Sequence, residues 1–390
     1  MREGWEYKKL GQVCTSDLGK TLNKSKDRGE LHPYLCSINI LWDKIDLSTL
    51  KQACFEADEQ EKYTVRKGDL LVCEGGDTGR SAIWDRDETI LYQNALHRLR
   101  FHESVSPKFV LFYLMYLKDI GEIDNKYSKG VTIKHLVKKA LLSIPLPIPP
   151  KPTQLSIVSE LDKLNELIQI KKVQLKDYDA LAQSIFYEMF GDPVENEKGW
   201  EVMSLADVCH SITDGDHMPP PKTDSGIPFL TISNINKETR ILDFSDTFFV
   251  PQSYYVALKE SRKPMENDLL YTVTGSYGIP VVVDGKNSFC FQRHIALLRP
   301  NVDKVLTLYL CYWCLCPSIK QVADKVATGI AQKTVSLTSL RKFSIILPPL
   351  PLQQSFAHRI EQIERQKAAV QRTIKDLETL LAVRMQYWFE

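Results

Sequence analysis

Residues 149–164 read PPKPTQLSIVSELDKL, and residues 348–363 read PPLPLQQSFAHRIEQI. Each stretch opens on Pro-Pro, places a third proline two residues on and a glutamine two after that, then runs into apolar residues at helical spacing. The glutamines, Gln154 and Gln353, lie 199 positions apart, and that lag holds outward along the chain. KGDLLV (67–72) falls opposite ENDLLY (266–271), and Gly79 opposite Gly278. YQNALHRLRF (92–101) falls opposite FQRHIALLRP (291–300), pairing Gln93 with Gln292, Leu99 with Leu298 and Arg100 with Arg299. Downstream, LKDYDAL (175–181) matches IKDLETL (374–380), and Phe190 matches Phe389. Near the amino terminus GWEYKKLGQVC, from Gly4, matches GWEVMSLADVC, from Gly199, at a lag of 195, so about four residues were gained or lost in between. The chain is two copies of one unit.

Length agrees, because 390 residues exceed what one core usually supports. A hydrophobic content of 43% and a charged content of 25% belong to a soluble globular protein. No apolar run approaches the length that spans a bilayer, and the start MREGWEYKKL lacks the apolar core of a signal peptide. A cytoplasmic protein without membrane contact is expected. The net charge of +1 excludes a uniformly basic nucleic-acid binder but not a local basic face. Nine cysteines in mostly apolar contexts fit reduced, buried thiols. The one cluster, CYWCLC (311–316), has the spacing of half a zinc site, yet no second half exists and it sits in an apolar helical run. Core packing is the expectation there, and no cofactor or metal is expected.

Both halves share one coarse reading. Short apolar runs punctuated by Gly, Asp and Pro come first, such as DLLVCEG and SAIW, or IPFLTI, DLLYTVTG and GIPVVV. A helical patch follows, KFVLFYLMYLKDI or LTLYLCYWCLCPSIKQVADKV, then a basic, Gly-containing loop, YSKGVTIKH or ATGIAQKTV. The exit, SIPLPIPPKP or SIILPPLP, is held extended by its prolines and reads as a stiff strut whose last proline opens a helix.

Nothing breaks the first of these helices from Pro152 to Phe190, where Gly191-Asp192-Pro193 ends it. At 1.5 Å per residue it would span roughly 55 Å. Its apolar positions Ile157, Leu161, Leu164, Ile168, Leu175, Tyr178 and Ala182 alternate spacings of four and three, with Lys171 interrupting. The second helix repeats that seam at Phe356, Ile360, Ile363, Val370, Ile374, Leu377 and Leu381, with Lys367 interrupting. This is a heptad pattern, and one helix cannot hide such a seam alone. Two copies related by a pseudo-twofold axis would lay their helices antiparallel; packing of each helix on its own domain, or dimerisation, is the other way to cover them. The expected fold class is α+β: two tandem β-rich α/β globular domains, each followed by a long helix, with the helices paired as an antiparallel coiled coil. The expected boundaries are 1–150, 151–191, 192–350 and 351–390.

The order of β-rich domain, PP-x-P-x-Q junction, long helix ending in SIFYEMFGDP, and a second domain opening GWE resembles the specificity subunit of type I restriction-modification systems. TDGDHMPPPKTDSGIPFLTISNI (213–235) and YQNALHRLR (92–100) carry the same resemblance, which covers the whole chain. It implies two target-recognition domains, each reading one half of a bipartite sequence in double-stranded DNA, with the paired helices as a ruler. It also implies that adenine-N6 methyltransferase subunits, two by the pseudo-symmetry, dock on the chain, and that motor-nuclease restriction subunits join for cleavage.

Physical chemistry points the same way. Two reading heads on a rigid strut suit two short sequences separated by an unread gap. Phosphates need Lys, Arg, hydroxyls and backbone amides, while base edges need Arg, Asn, Gln, His or Asp. In the first domain those types gather in GKTLNKSKDR (Lys20, Thr21, Asn23, Lys24, Lys26, Arg28), EGGDTGR (Asp77, Thr78, Arg80), QNALHR (Asn94, His97, Arg98) and SKGVTIKH (Lys129, Thr132, Lys134). In the second they gather in DGDHMPPPK (Asp214, His217, Lys222), TGSYG (Thr274, Ser276, Tyr277), QRH (Arg293, His294) and GIAQK (Gln332, Lys333). A surface lysine is ordinarily only solvated and a Gly-Asp pair only a turn, so the loops are read as a set. Arg100 and Arg299 occupy matching places after a strand and read as structural. DGDHMPPPK has no counterpart in the first domain on this reading, so the two domains should read different half-sites.

Catalysis by this chain is not expected. LGKT (18–21) resembles the end of a phosphate-binding loop, but the required first glycine falls on Cys14. No Pro-Pro here follows Asp or Asn and precedes an aromatic, as an amino-methyltransferase would need. Asp214, Asp216 and His217 could begin a hydrolytic metal site, yet the other copy lacks them. The alternatives are a coiled-coil scaffold that binds proteins without DNA contact, and a specificity subunit of a methylation-only system.

Overall fold

The computed structural model describes residues 4–23, 27–130, 134–218, 220–330 and 332–390. The backbone divides into two compact units, one of residues 1–172 and 372–390, the other of residues 173–371. Four helices organise them: α1 (Pro107–Asp119), α2 (Lys151–Phe190), α3 (Thr307–Cys314) and α4 (Leu350–Phe389). Each unit therefore holds one β-rich part together with a piece of both long helices.

The repeat in the sequence is a repeat in strand pairing. In the first unit a four-stranded antiparallel sheet runs in the order Cys14–Leu18, Leu96–Phe101, Leu70–Cys73, Ser81–Ile83. In the second the order is Cys209–Asp214, Ile295–Pro300, Leu269–Thr272, Pro280–Val282. A second sheet in each unit contains one parallel pair, Tyr34–Leu35 beside Leu91–Tyr92 and Phe229–Leu230 beside Cys290–Phe291. The Pro-rich exits are strands too. Pro145–Ile148 pairs with Glu6–Lys9, and Ser344–Leu347 with Glu201–Ser204, so each domain closes on its own first strand before the helix leaves. Prolines are tolerated there because the partner strand is needed on one side only.

The glutamine of each junction locks that departure. Gln154 is fully buried; its side-chain oxygen accepts from the Ser106 amide at 2.8 Å, and its nitrogen donates to the carbonyls of Ser104 at 3.1 Å and Pro149 at 2.9 Å. Gln353, equally buried, accepts from the Leu306 amide at 2.9 Å and donates to Lys304 at 3.1 Å and Pro348 at 2.8 Å. A side chain with both a donor and an acceptor is needed to satisfy backbone groups of both kinds at the start of α1 or α3. Arg100 and Arg299 are structural, as expected: each makes a two-pronged contact with a buried carboxylate, Asp69 or Asp268. The helical patch of the second copy breaks at Pro317, which cannot continue α3 and opens a new helix, Pro317–Val326. Cys311, Cys314 and Cys316 lie in the core as free thiols, and burial pushes the Cys316 thiol up to about 12.

Within each unit the helical segments meet in opposite directions. In the first unit Glu160 accepts from Arg384 and, at 3.1 Å, from the Trp388 indole, while Lys172 pairs with Glu378 at 2.8 Å. The end of α4 enters the same core, with the Phe389 ring 5.4 Å from those of Phe109 and Tyr113. In the second unit the end of α2 does likewise: Phe186 and Phe190 pack on Tyr309 of α3 and on Phe356, at 4.9–5.6 Å between centroids. The seam residues Ile157, Leu161, Ile168, Phe356, Ile360, Ile363, Val370, Ile374 and Leu381 are buried, whereas Leu164, Leu175, Tyr178 and Leu377 are partly exposed. Lys367, which breaks the heptad, is buried but satisfied at 2.9 Å by both Asp179 and Glu364. Arg240 reaches the same Asp179 from a turn at 2.7 Å. Burial works to raise the Asp179 pKa, and the bonds from Lys367 and Arg240 outweigh it and hold the carboxyl below the usual range. The first unit has a counterpart of opposite charge, in which Asp43 on the matching turn is bonded by Lys108, which also pairs with Asp162 of α2 at 3.1 Å. Asp43 and Arg240 both adopt positive φ, 59° and 55°.

Candidate nucleic-acid interface

Antiparallel pairing decides which loops meet. In the second unit Asp214 lies opposite Ala296, and Thr272 opposite Ile295, so the connections after Asp214, before Ile295 and after Thr272 all leave one end of the sheet. A fourth joins them, because Thr334 bridges both Thr274 and Thr328. Four of the loops singled out in the sequence thus converge. Asp214, His217, Thr274, Arg293, His294 and Gln332 line one cleft of about 380 Å3. A second hollow shares His217 and Arg293 and extends over Lys222, Phe229 and Phe248.

The side chains differ in how free they are. Arg293 is exposed, and among the described residues its guanidinium has no ion pair or hydrogen bond. His217 is exposed, with Nε2 2.7 Å from Asp214 Oδ2. Asp214 is also approached by Arg262 at 3.5 Å. His294 is half-buried; loss of hydration, and then the Arg293 charge, lower its pKa and favour the neutral ring. Gln332 and Lys333 are exposed, and Lys222 lies 4.5 Å from the centre of the Phe248 ring. The TGSYG loop departs from expectation. Tyr277 is buried with its hydroxyl donating to Asp324 at 2.6 Å, Thr274 is mostly buried against Thr334, and the Ser276 carbonyl accepts from Thr272, so this loop buttresses the cleft more than it offers side chains.

The same end of the first unit's sheet gathers the matching loops, with Leu18 opposite His97, Leu96 opposite Cys73, and His135 bridging both Gly75 and Lys129. Here burial corrects several assignments. Lys20 is buried and donates to Glu59 at 2.6 Å and to the Cys54 carbonyl at 2.8 Å, with Asp27 at 3.4 Å, so its charge holds a loop to the domain. His97 is fully buried with Nε2 2.7 Å from the Leu136 carbonyl, and Arg98 is buried against Asp17 and two backbone carbonyls. Thr78 is fully buried and donates to Asp124 at 2.9 Å. A ligand on the surface cannot touch these four. Asp77 pairs with Lys118 at 2.9 Å, Arg80 donates to the Ser37 carbonyl at 3.0 Å, and Lys134 donates to the Asp124 carbonyl at 3.0 Å, which ties all three inward. Thr21, Asn23, Arg28 and Lys129 are exposed, and Asn94 is half-buried with its amide donating to Thr21 Oγ1 at 3.1 Å. Lys24, Lys26 and Thr132 lie outside the described residues.

DGDHMPPPK does have a counterpart, contrary to the sequence reading. Lys20 bridges Gln93 in parallel as Asp216 bridges Gln292. Gly19 and Gly215 precede them, and a Cβ on either would fall within 2.4 Å of the backbone of residues 92–93 or 1.9 Å of residue 291. Both loops therefore start from one obligatory close approach and diverge after it. An irregularity in the pairing between Cys209 and Ser211 inserts one residue, which shifts the lag and hides the match.

Exposed Arg, Lys, His, Asn and Gln at one end of a β-sheet can contact phosphates and base edges. Among the described residues no group of His, Cys, Asp and Glu could hold a metal ion, and no helix is long and apolar enough to cross a membrane.

A family model described as the type I restriction modification DNA specificity domain matches the chain twice, over residues 2–177 and 197–379. The type I restriction enzyme EcoBI specificity subunit of Escherichia coli is 22% identical, covering 78% of this chain and 68% of its own. The MjaVIII specificity subunit of Methanocaldococcus jannaschii is 20% identical, covering 97% of this chain and 92% of its own. Among solved structures, a chain from a study of complex assembly and conformational transition of the type I R-M system gives a TM-score of 0.59 at 19% identity, covering 100% of this chain and 98% of its own. The S subunit from M. genitalium gives 0.52 at 13% identity, covering 99% and 96%. With the matching domain present twice and together spanning most of its length, the chain belongs to the family of type I restriction-modification specificity subunits.

Proposed function

We propose that each globular part reads one half of a bipartite target in double-stranded DNA and that the two long helices, paired as an antiparallel coiled coil, set the unread gap. The observation that carries this reading is the convergence of four loops at the same end of two equivalent sheets, with different side chains on the two copies. One scaffold repeated with altered loops is what recognition of two different short sequences requires. Thr21, Asn23, Arg28, Asn94 and Lys129 in the first unit, and His217, Lys222, Arg293, Gln332 and Lys333 in the second, are the contacting side chains in this reading.

Catalysis then belongs to other subunits, namely adenine-N6 methyltransferases, two per chain, and motor-nuclease restriction subunits. Exposed apolar residues on the helices, Leu155, Leu167 and Ile170 on α2 and Leu380, Val383 and Tyr387 on α4, support a protein partner there. A cytoplasmic location follows from such an assembly. The test is to co-express the chain with type I methyltransferase subunits and map N6-methyladenine across the host genome by single-molecule sequencing. One bipartite motif with a fixed gap is expected; methylation without a motif, or a stable complex without methylation, would favour a protein-binding scaffold.

A further inference from the structure

From the backbone equivalence of Asn94 and Arg293 we infer that this single position sets the identity of one base in each half-site, an adenine for the first unit and a guanine for the second. The inference rests on the DNA-reading function proposed above and assigns the residues that distinguish the halves.

The two positions are made equivalent by the same hydrogen bonds. Asn94 donates its amide to the Lys20 carbonyl at 3.0 Å, and Arg293 donates to the Asp216 carbonyl at 3.2 Å. One residue earlier, the Gln93 and Gln292 carbonyls accept from Leu96 at 3.0 Å and from Ile295 at 3.0 Å. Gly19 and Gly215 press on the same backbone in both units. The loop is thus fixed at its foot in one geometry, and the side chain at its tip is what varies.

Each side chain suits one base. Arg293 lines both hollows, its fork has no hydrogen bond or ion pair among the described residues, and a planar guanidinium matches the two acceptors, O6 and N7, that guanine shows in the major groove. The nearby acids have other partners: Asp214 lies 2.7 Å from His217 and 3.5 Å from Arg262, and Asp216 lies 3.7 Å from Arg262. Asn94 gives one amide proton to Thr21. That bond orients the group and leaves its second proton and its oxygen as the donor–acceptor pair that adenine N7 and N6 require.

The test maps N6-methyladenine in cells co-expressing the methyltransferase with the wild-type chain, R293N, R293K or N94R. Absence of any motif in the wild type would sink the underlying function and is read separately. Given a bipartite motif, R293N should change one guanine position in one half only, with roughly tenfold or greater loss of discrimination there. R293K should keep methylation but relax the same position, because lysine retains the charge and loses the fork. N94R should alter one adenine position in the other half. If R293N or R293K leaves every letter of the motif intact, whatever its effect on the amount of methylation, Arg293 touches phosphate and the inference is overturned. A change in both halves, or N94R acting on the half that Arg293 controls, would overturn it as well.

Discussion

The loop ends of the two units differ in where their charges go. In the first unit Lys20, Arg98, Asp77, Arg80 and Lys134 are bonded to the domain itself. In the second, Arg293, Lys333 and Gln332 stand exposed, with Arg293 and Gln332 lining one cleft, while Tyr277 and Thr274 are drawn inward. One scaffold thus carries a loop cluster tied to its domain by ion pairs, and another in which Asp214, Asp216, His217 and Arg262 pair among themselves while Arg293 stays exposed. The buried position of Lys20 is filled by Asp216, which Arg262 approaches at 3.7 Å, so even the sign of the charge has been exchanged. Scaffold and loop surface vary independently because the foot of each loop is fixed by strand pairing while its tip is not.

If the scaffolds are equivalent, removing their shared ion pair should cost the same in each. Asp69→Ala and Asp268→Ala each strand a two-pronged arginine and should each lower stability by about 3 kcal/mol, read from urea denaturation midpoints; a cost confined to one unit would break the equivalence. The next effect should fall on one side only. Lys20→Ala leaves Glu59 and Asp27 without their cation and should cost about 2 kcal/mol, whereas Arg293→Ala should stay within about 0.5 kcal/mol. Equal losses in the same urea denaturation series would mean that the second cluster is as locked as the first.

A smaller contrast depends on pH. Burial lowers the pKa of His97, whose equivalent position holds Ala296. The folded state then binds fewer protons than the unfolded state, and stability should fall as pH drops below about 6.5, by up to about 1.4 kcal/mol per pH unit. His97→Gln should flatten that slope in stability measured between pH 7 and pH 5; an unchanged slope would place its origin elsewhere.

The repeat, the helices and the glutamine junctions were legible because they rest on local periodicity and on a constant lag. Lys20 was not, since a lysine after glycine reads as a surface residue and its partner Glu59 is 39 positions away. The turns that reach the helices, Asp43 to Lys108 and Arg240 to Asp179, were missed for the same reason, with partners 65 and 61 positions off. Tyr277 and Thr78 read as contact residues in the sequence because hydroxyls in a glycine-rich loop look alike whether they face a ligand or the next helix. Arg293 and Gln332 are singled out in the sequence by residue type and by loop, and the structure brings them to one cleft.

The most direct measurement replaces residues 1–150 with the corresponding part of another specificity subunit and maps genomic N6-methyladenine before and after. Two independent readers on one ruler predict that one half of the motif changes while the other half and the gap stay fixed. A change in both halves, or in the gap alone, would contradict the account.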